Sequence, residues 1–155
     1  MKEDKKYPST FNGLLALVDY LRGPDGCPWD QEQTSDSMRR YILEECYELL
    51  EAIDECDSNK MVDELGDVLF NIAFQIQLGI EEQSLTTEQV FEHVNEKLVR
   101  RHPHVFGDTV AIDSHEVEYK WQALKRAEQL DAGTSIMSSV SKEMPALAYA
   151  QMIQE

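Results

Sequence analysis

Apolar residues recur along this chain with the period of an α-helix almost throughout. Phe11, Leu14, Leu15, Val18 and Leu21 stand at i, i+3, i+4, i+7 and i+10, which predicts a first helix capped by Ser9 or Thr10. Residues 22–30, RGPDGCPWD, carry two glycines and two prolines and interrupt the pattern. A second helix is predicted from about Thr34–Ser37 to Cys56, with Met38, Ile42, Cys46, Leu49, Leu50 and Ile53 as its apolar stripe. Asn59 is the expected cap of a third helix reaching about Glu82. That helix carries two apolar lines. The main stripe is Met61, Val62, Leu65, Val68, Leu69, Ile72, Ile76 and Ile80, expected to face the core. Phe70, Phe74 and Leu78 form the second line at i, i+4, i+8 on the far side, expected in or beside a contact with another subunit.

A fourth helix is predicted from Thr86 or Thr87 to just before Pro103. A fifth is expected from the capping-box pair Asp113 and Glu116 to about Gln129. Residues 131–141 read as a linker rich in small residues, and 145–154 as the start of a further helix. There is no alternating strand pattern and no internal repeat. The predicted class is all-α, an antiparallel bundle of about five helices. One domain is expected over 8–130, followed at 131–155 by the linker and the beginning of a C-terminal helix.

Charge narrows the partners. The 155 residues include 30 acidic and 14 basic ones, a formal net charge of −16. Such a chain repels nucleic-acid backbones and anionic membrane surfaces, so neither is an expected partner. Cys27, Cys46 and Cys56 form no C-x-x-C pair, which suggests neither a disulfide framework nor a zinc ribbon. No apolar stretch follows the charged start, and the run 68–80 is broken by Asn71, Gln75 and Gln77. It is too short and polar to span a bilayer, and a cytoplasmic location is expected.

The informative residues are acidic. Glu44, Glu45 and Glu48 lie on the second helix as EECYE, and Glu64 and Asp67 on the third as ELGD. Residues three apart are near neighbours on a helix surface, so each pair projects together. Two helices joined by a tight turn pack antiparallel and can bring the pairs face to face. At about 100° per residue, Glu45 and Glu64 border their apolar stripes, and Glu48 and Asp67 lie just beyond. These four are the expected inward carboxylates, and Asn71 extends their line where it could orient a ligand. Converging carboxylates raise one another's pKa and oppose folding unless a cation intervenes. An all-oxygen set suits Mg²⁺, with Mn²⁺ as a substitute. Against this stands the ordinary reading of acidic residues as solvated surface, which the pattern alone leaves about equally open.

Cations are sparse. Lys97, Arg100 and Arg101 cluster at the end of the fourth helix. They either neutralise its C-terminus or clamp phosphate, for which the Arg fork is suited. Trp121 and Lys125, at i and i+4 on the fifth helix, read first as a core ring and a solvated cation, and second as a base-stacking ring and a ligand. Trp29 reads either as a plug over the core or as part of a substrate pocket. His102 and His104 are expected to serve their loop structurally. No phosphate loop, nucleophile elbow, HExxH or GxGxxG motif is present.

Several motifs in order carry a family resemblance. They are LRGPDGCPWDQEQT at 21–34, EECYELLEAID at 44–54, DELGDVLFNIAF at 63–74, NEKLVRRHPHVFGD at 95–108 and KWQALK at 120–125. From about Leu14 to Glu128 the chain resembles MazG-type nucleoside triphosphate pyrophosphohydrolases, of the all-α NTP pyrophosphatase superfamily. The resemblance implies Mg²⁺ held by Glu45, Glu48, Glu64 and Asp67, and cleavage of NTPs between the α- and β-phosphates to NMP and pyrophosphate. It implies triphosphate contacts at Lys97, Arg100, Arg101 and Lys125, and a homo-oligomer, dimeric or higher; Trp121 and Asn71 are expected as further substrate contacts. The expected mechanism is metal-assisted attack of water on the α-phosphorus, with Glu44 or Glu48 as the base and nucleotide-pool house-cleaning as the role. Two rivals are a narrower dUTPase- or dCTPase-type pyrophosphatase and a catalytically idle metal-binding helical module.

Overall fold

The computed structural model describes residues 7–131, 141, 143–147, 149 and 150. Among these it holds seven helices and no strand: α1 (Phe11–Arg22), α2 (Pro28–Glu32), α3 (Ser35–Asp54), α4 (Ser58–Glu81), α5 (Thr87–Arg101), α6 (Pro103–Phe106) and α7 (Ser114–Asp131). The five long helices are those the periodicity predicts. The two short ones are single turns, each opened by a proline whose fixed φ suits a first helical position. The expected linker at 131–141 lies largely outside the described residues. Of the expected last helix, Pro145, Ala146, Leu147, Tyr149 and Ala150 are described, and all but Pro145 are helical.

Helix starts follow side-chain chemistry. Thr10 Oγ1 accepts from Gly13 N at 3.1 Å. Thr34 and Ser37 form a reciprocal capping box at the head of α3. The expected cap of α4, Asn59, is corrected to Asp57, whose Oδ1 accepts from the backbone N–H of both Asn59 and Lys60. Asp57 is the residue still in extended conformation, so its side chain meets the free amides of the first turn.

The chain divides into two compact units, Met1–Phe91 and Glu92–Glu155. In the first, α3 and α4 form an antiparallel hairpin. Lys60 Nζ meets Glu51 Oε2 at 2.7 Å near the turn, and Gln75 Nε2 donates to Ser35 O at 3.2 Å at the opposite end. α1 packs on α4, and the core is Val18, Met38, Ala73, Phe74 and Leu78, flanked by Phe11, Leu14, Leu15, Tyr41 and Phe70. Gly13 is required where the chain entering α1 turns back on it, because a Cβ there would lie 1.9 Å from Pro8 O.

The two apolar lines of α4 are the reverse of the sequence expectation. Phe74 is 0% exposed and Leu78 is also buried, so the second line faces the core. The main stripe faces largely outward: Val62 is 69% exposed, and Leu65, Leu69, Ile72 and Ile80 are exposed with it. On α3, likewise, Met38 is buried while Leu50 and Ile53 are exposed. α1 supplies an apolar face against the side of α4 that carries the two phenylalanines and the small Ala73.

Arg22 locks this packing. Its side chain is 8% exposed and grips Glu81 with two hydrogen bonds, at 2.8 and 2.7 Å. It also donates to the carbonyls of Asp30 and Gln33 and lies 5.2 Å from the Phe74 ring centroid. One guanidinium thus ties the end of α1, the segment bearing α2 and the end of α4. Truncation of the core ring tests the corrected orientation. Phe74→Ala is expected to cost about 3–5 kcal/mol in denaturant unfolding. A loss below about 1 kcal/mol would return Phe74 to the outward face.

Candidate metal and phosphate site

The carboxylates come from two helices of the first unit. Glu45 and Glu48 sit one turn apart on α3, and Glu64 comes from the first half of α4. Each offers an oxygen, and the three oxygens lie within 4.8 Å of one another. Glu64 exposes only 9% of its surface. Burial pushes the Glu45 carboxyl above its ordinary pKa, helped by the negative charges of Asp67, Glu48, Glu64 and Glu44. Glu64 is raised by the same causes, burial first and then Glu48 and Asp67. Asp67 therefore acts electrostatically on both. Glu44, the other expected base, is exposed beside this group and adds to the field on Glu45.

Asn71, one turn beyond Asp67, is 3% exposed. Its Nδ2 donates to Asp67 O at 3.0 Å, and its Oδ1 is buried without a hydrogen-bond partner among the described residues. Lys60 is the cation that pattern reading passes over. It binds Glu51 and Glu55 at 2.7 and 3.2 Å, and its charge opposes the rise at Glu64. Its position one turn before Glu64 was the available signal.

The expected phosphate contacts lie in the second unit. Arg100 Nε and Arg101 Nη2 both grip Glu128, at 2.8 and 2.7 Å, and together they hold the Glu128 carboxyl down at about 2. Arg101 also lies 5.4 Å from the Trp121 ring centroid. Trp121 is packed edge-on by His102 at 5.0 Å, while His102 Nδ1 engages Leu98 O. So Arg100, Arg101 and Trp121 are brought together, and His102 serves the loop as expected. Lys97 and Lys125 are half-buried. The capping pair at the head of α7 forms in altered pattern: Asp113 Oδ1 accepts from Glu116 N, and Glu116 Oε2 accepts from Ile112 N, both at 2.8 Å.

Convergent hard-oxygen donors can hold a divalent cation. Among the described residues no helix is long and apolar enough to cross a membrane.

Residues 33–106 match the family model of the MazG nucleotide pyrophosphohydrolase domain. Over 155 residues the chain is 44% identical to the Bacillus subtilis protein YabN, covering 100% of this chain and 32% of that protein. It is 44% identical over 146 residues to the Thermotoga maritima nucleoside triphosphate pyrophosphohydrolase/pyrophosphatase MazG, covering 94% of this chain and 55% of that one. The Escherichia coli K12 nucleoside triphosphate pyrophosphohydrolase is 41% identical over 144 residues, 92% of this chain and 55% of its own length. The chain thus spans between about a third and just over half the length of these relatives. All five glutamate and aspartate positions of the EExxE and ExxD pattern fall inside the matched domain. On that match and these relatives, residues 33–106 carry a MazG nucleotide pyrophosphohydrolase domain.

Proposed function

We propose that this protein hydrolyses nucleoside triphosphates to NMP and pyrophosphate, with Mg²⁺ as cofactor, Mn²⁺ as its substitute and residues 8–130 as the active domain. The observation that carries this reading is the convergence of the Glu45, Glu48 and Glu64 oxygens within 4.8 Å, in the field of Asp67. Water attacks the α-phosphorus, the bond from that phosphorus to the bridging oxygen breaks, and pyrophosphate departs. Three unneutralised carboxylates this close are unfavourable by themselves, and their all-oxygen chemistry fits a hard divalent ion. Glu45, Glu48, Glu64 and Asp67 would hold that ion. When bound, it supplies charge neutralisation and polarisation at the phosphates.

The remaining work falls to the chain. Glu44 or Glu48 accepts the proton of the attacking water at a carboxylate oxygen. Lys97, Arg100, Arg101 and Lys125 bind the phosphates, with Trp121 and Asn71 as further substrate contacts. Support for these cations is their place in the family's motifs and the pairing of both arginines with a carboxylate, a group whose oxygens resemble phosphate's. The three cysteines are free thiols, which suits a cytoplasmic location.

The outward faces of α3 and α4 are assigned to contact with a second copy. Leu43, Leu50, Val62, Leu65, Leu69 and Ile72 are all exposed on them, more apolar surface than a monomer ordinarily leaves to water. Ile72→Glu is expected to convert a sedimenting dimer to a folded monomer. A wild-type protein that sediments as a monomer at micromolar concentration would contradict the assignment.

Glu45→Gln tests the site. Pyrophosphate release from NTPs should fall at least a hundredfold at saturating Mg²⁺, while the metal-free variant melts at or above the wild-type temperature. The pH dependence has a definite sign. Glu45 and Glu64 have folded pKa values raised above the ordinary 4.5. Their contribution to stability is therefore fully present below 4.5 and is lost as pH rises through the folded values. Metal-free wild type should melt higher at pH 5 than at pH 7.5, and Mg²⁺ should raise the melting temperature more at pH 7.5. Near-normal turnover by Glu45→Gln, or a Mg²⁺ shift equal in variant and wild type, would refute the assignment.

A further inference from the structure

Both arginines at the end of α5 are held by one carboxylate of α7. Glu128 Oε1 accepts from Arg100 Nε at 2.8 Å, and Glu128 Oε2 accepts from Arg101 Nε and Nη2 at 3.2 and 2.7 Å. Trp121, Lys125 and Glu128 stand at i, i+4 and i+7 on α7, so they share one face of that helix. Arg101 is confined on two sides, by the carboxylate and by the Trp121 ring, whose centroid lies 5.4 Å from its guanidinium carbon. The Arg101 side chain is 16% exposed and that of Arg100 55%, which leaves Arg100 the more open to a ligand.

Glu128 divides its oxygens. An oxyanion that fills an arginine fork puts two oxygens on two nitrogens of one guanidinium. Here each oxygen serves a different arginine. Among the described residues nothing accepts from Nη1 or Nη2 of Arg100, or from Nη1 of Arg101. Donors therefore remain on both guanidinium groups while their Nε sides are fixed. The two arginines hold the Glu128 carboxyl down at about 2, so it stays charged at neutral pH. Its charge cancels one of two adjacent cations that would otherwise repel each other and splay apart. One net positive charge is left, with Lys97 one turn before Arg101 and Lys125 one turn before Glu128.

We propose that Glu128 is a positioning residue for the triphosphate, bridging Arg100 and Arg101 so that their remaining N–H groups converge on the part that departs as pyrophosphate. Glu128 stays paired when substrate binds and touches no substrate atom. Donors ordered in advance lose less freedom on binding, so the effect falls on substrate affinity. This rests on the NTP pyrophosphohydrolase reading above and adds what orders the cationic side of that site.

Wild type, Glu128→Gln, Glu128→Ala, Arg101→Ala and Arg101→Ala combined with each Glu128 substitution are assayed as full chains with Mg²⁺ for pyrophosphate release. Tripolyphosphate and NMP serve as competing inhibitors. Helical circular dichroism identifies a misfolded variant, in which case the other Glu128 substitution decides. Each Glu128 variant should raise KM about tenfold, the worth of one charge-assisted contact, with kcat within about twofold of wild type. Inhibition by tripolyphosphate should weaken by the same factor. Inhibition by NMP, which lacks those phosphates, should stay as in wild type. The combined variants should lose clearly less in kcat/KM than the product of the single losses, since Glu128 acts through the arginine that is gone. An unchanged KM in the Glu128 variants would leave the carboxylate a mere tie between two helices and overturn the inference. A lowered KM would overturn it as well, by making Glu128 a competitor of phosphate. So would losses that multiply in the combined variants, or NMP inhibition that weakens along with tripolyphosphate inhibition. Each of these leaves the pyrophosphohydrolase reading intact. Wild-type protein that releases pyrophosphate from no nucleotide would remove that reading, and this one with it.

Discussion

Glu45, Glu48 and Glu64 are forced together by the packing of α3 against α4, and their carboxyl oxygens come within 4.8 Å of one another. Nothing in their own chemistry favours this, since each negative charge raises the cost of the next. The hairpin withstands it because its ends are pinned elsewhere. Lys60 binds Glu51 and Glu55 beside the turn, Gln75 reaches the first turn of α3, and Arg22 clamps the far end of α4 through Glu81. The core under α1, centred on Phe74, supplies the apolar burial that offsets the repulsion. In the proposed reading, the site gives up stability locally and a bound cation restores it, a pattern expected where function sets the residues.

The same hairpin carries two very different surfaces. Its groove is acidic and its outer faces are apolar. That division explains a chain with a large acidic excess that still exposes leucines and isoleucines along two helices.

How much of this was legible before the structure follows from what periodicity encodes. A 3.6-residue repeat shows where helices run, and the Thr10 and Thr34 caps mark two of the starts. The spacing of Glu45 with Glu48 and of Glu64 with Asp67 places each pair on one helix face, which is why three of the four expected carboxylates were found in one cluster. Periodicity does not say which of two apolar lines on one helix another helix covers. Met61 to Ile80 is the longer line, yet Phe70, Phe74 and Leu78 are the ones α1 meets. Nor does local sequence distinguish adjacent capping candidates: Asp57 and Asn59 both have the chemistry, and only the backbone angle at Asp57 decides. The pairing of Arg100 and Arg101 with Glu128, 28 and 27 residues away, is likewise a property of the fold and not of any motif.

The central claim is that the α3–α4 carboxylates form one divalent-cation site. It is tested most directly by titrating Mn²⁺ into the metal-free protein and counting free Mn²⁺ by electron paramagnetic resonance, in wild type and Glu64→Gln. The account predicts saturable binding near neutral pH that weakens toward pH 5, as the raised carboxyls of Glu45 and Glu64 take up protons, and that is largely lost in the variant. Binding of equal strength in both proteins, or none above that of a surface acidic to the same degree, would contradict it.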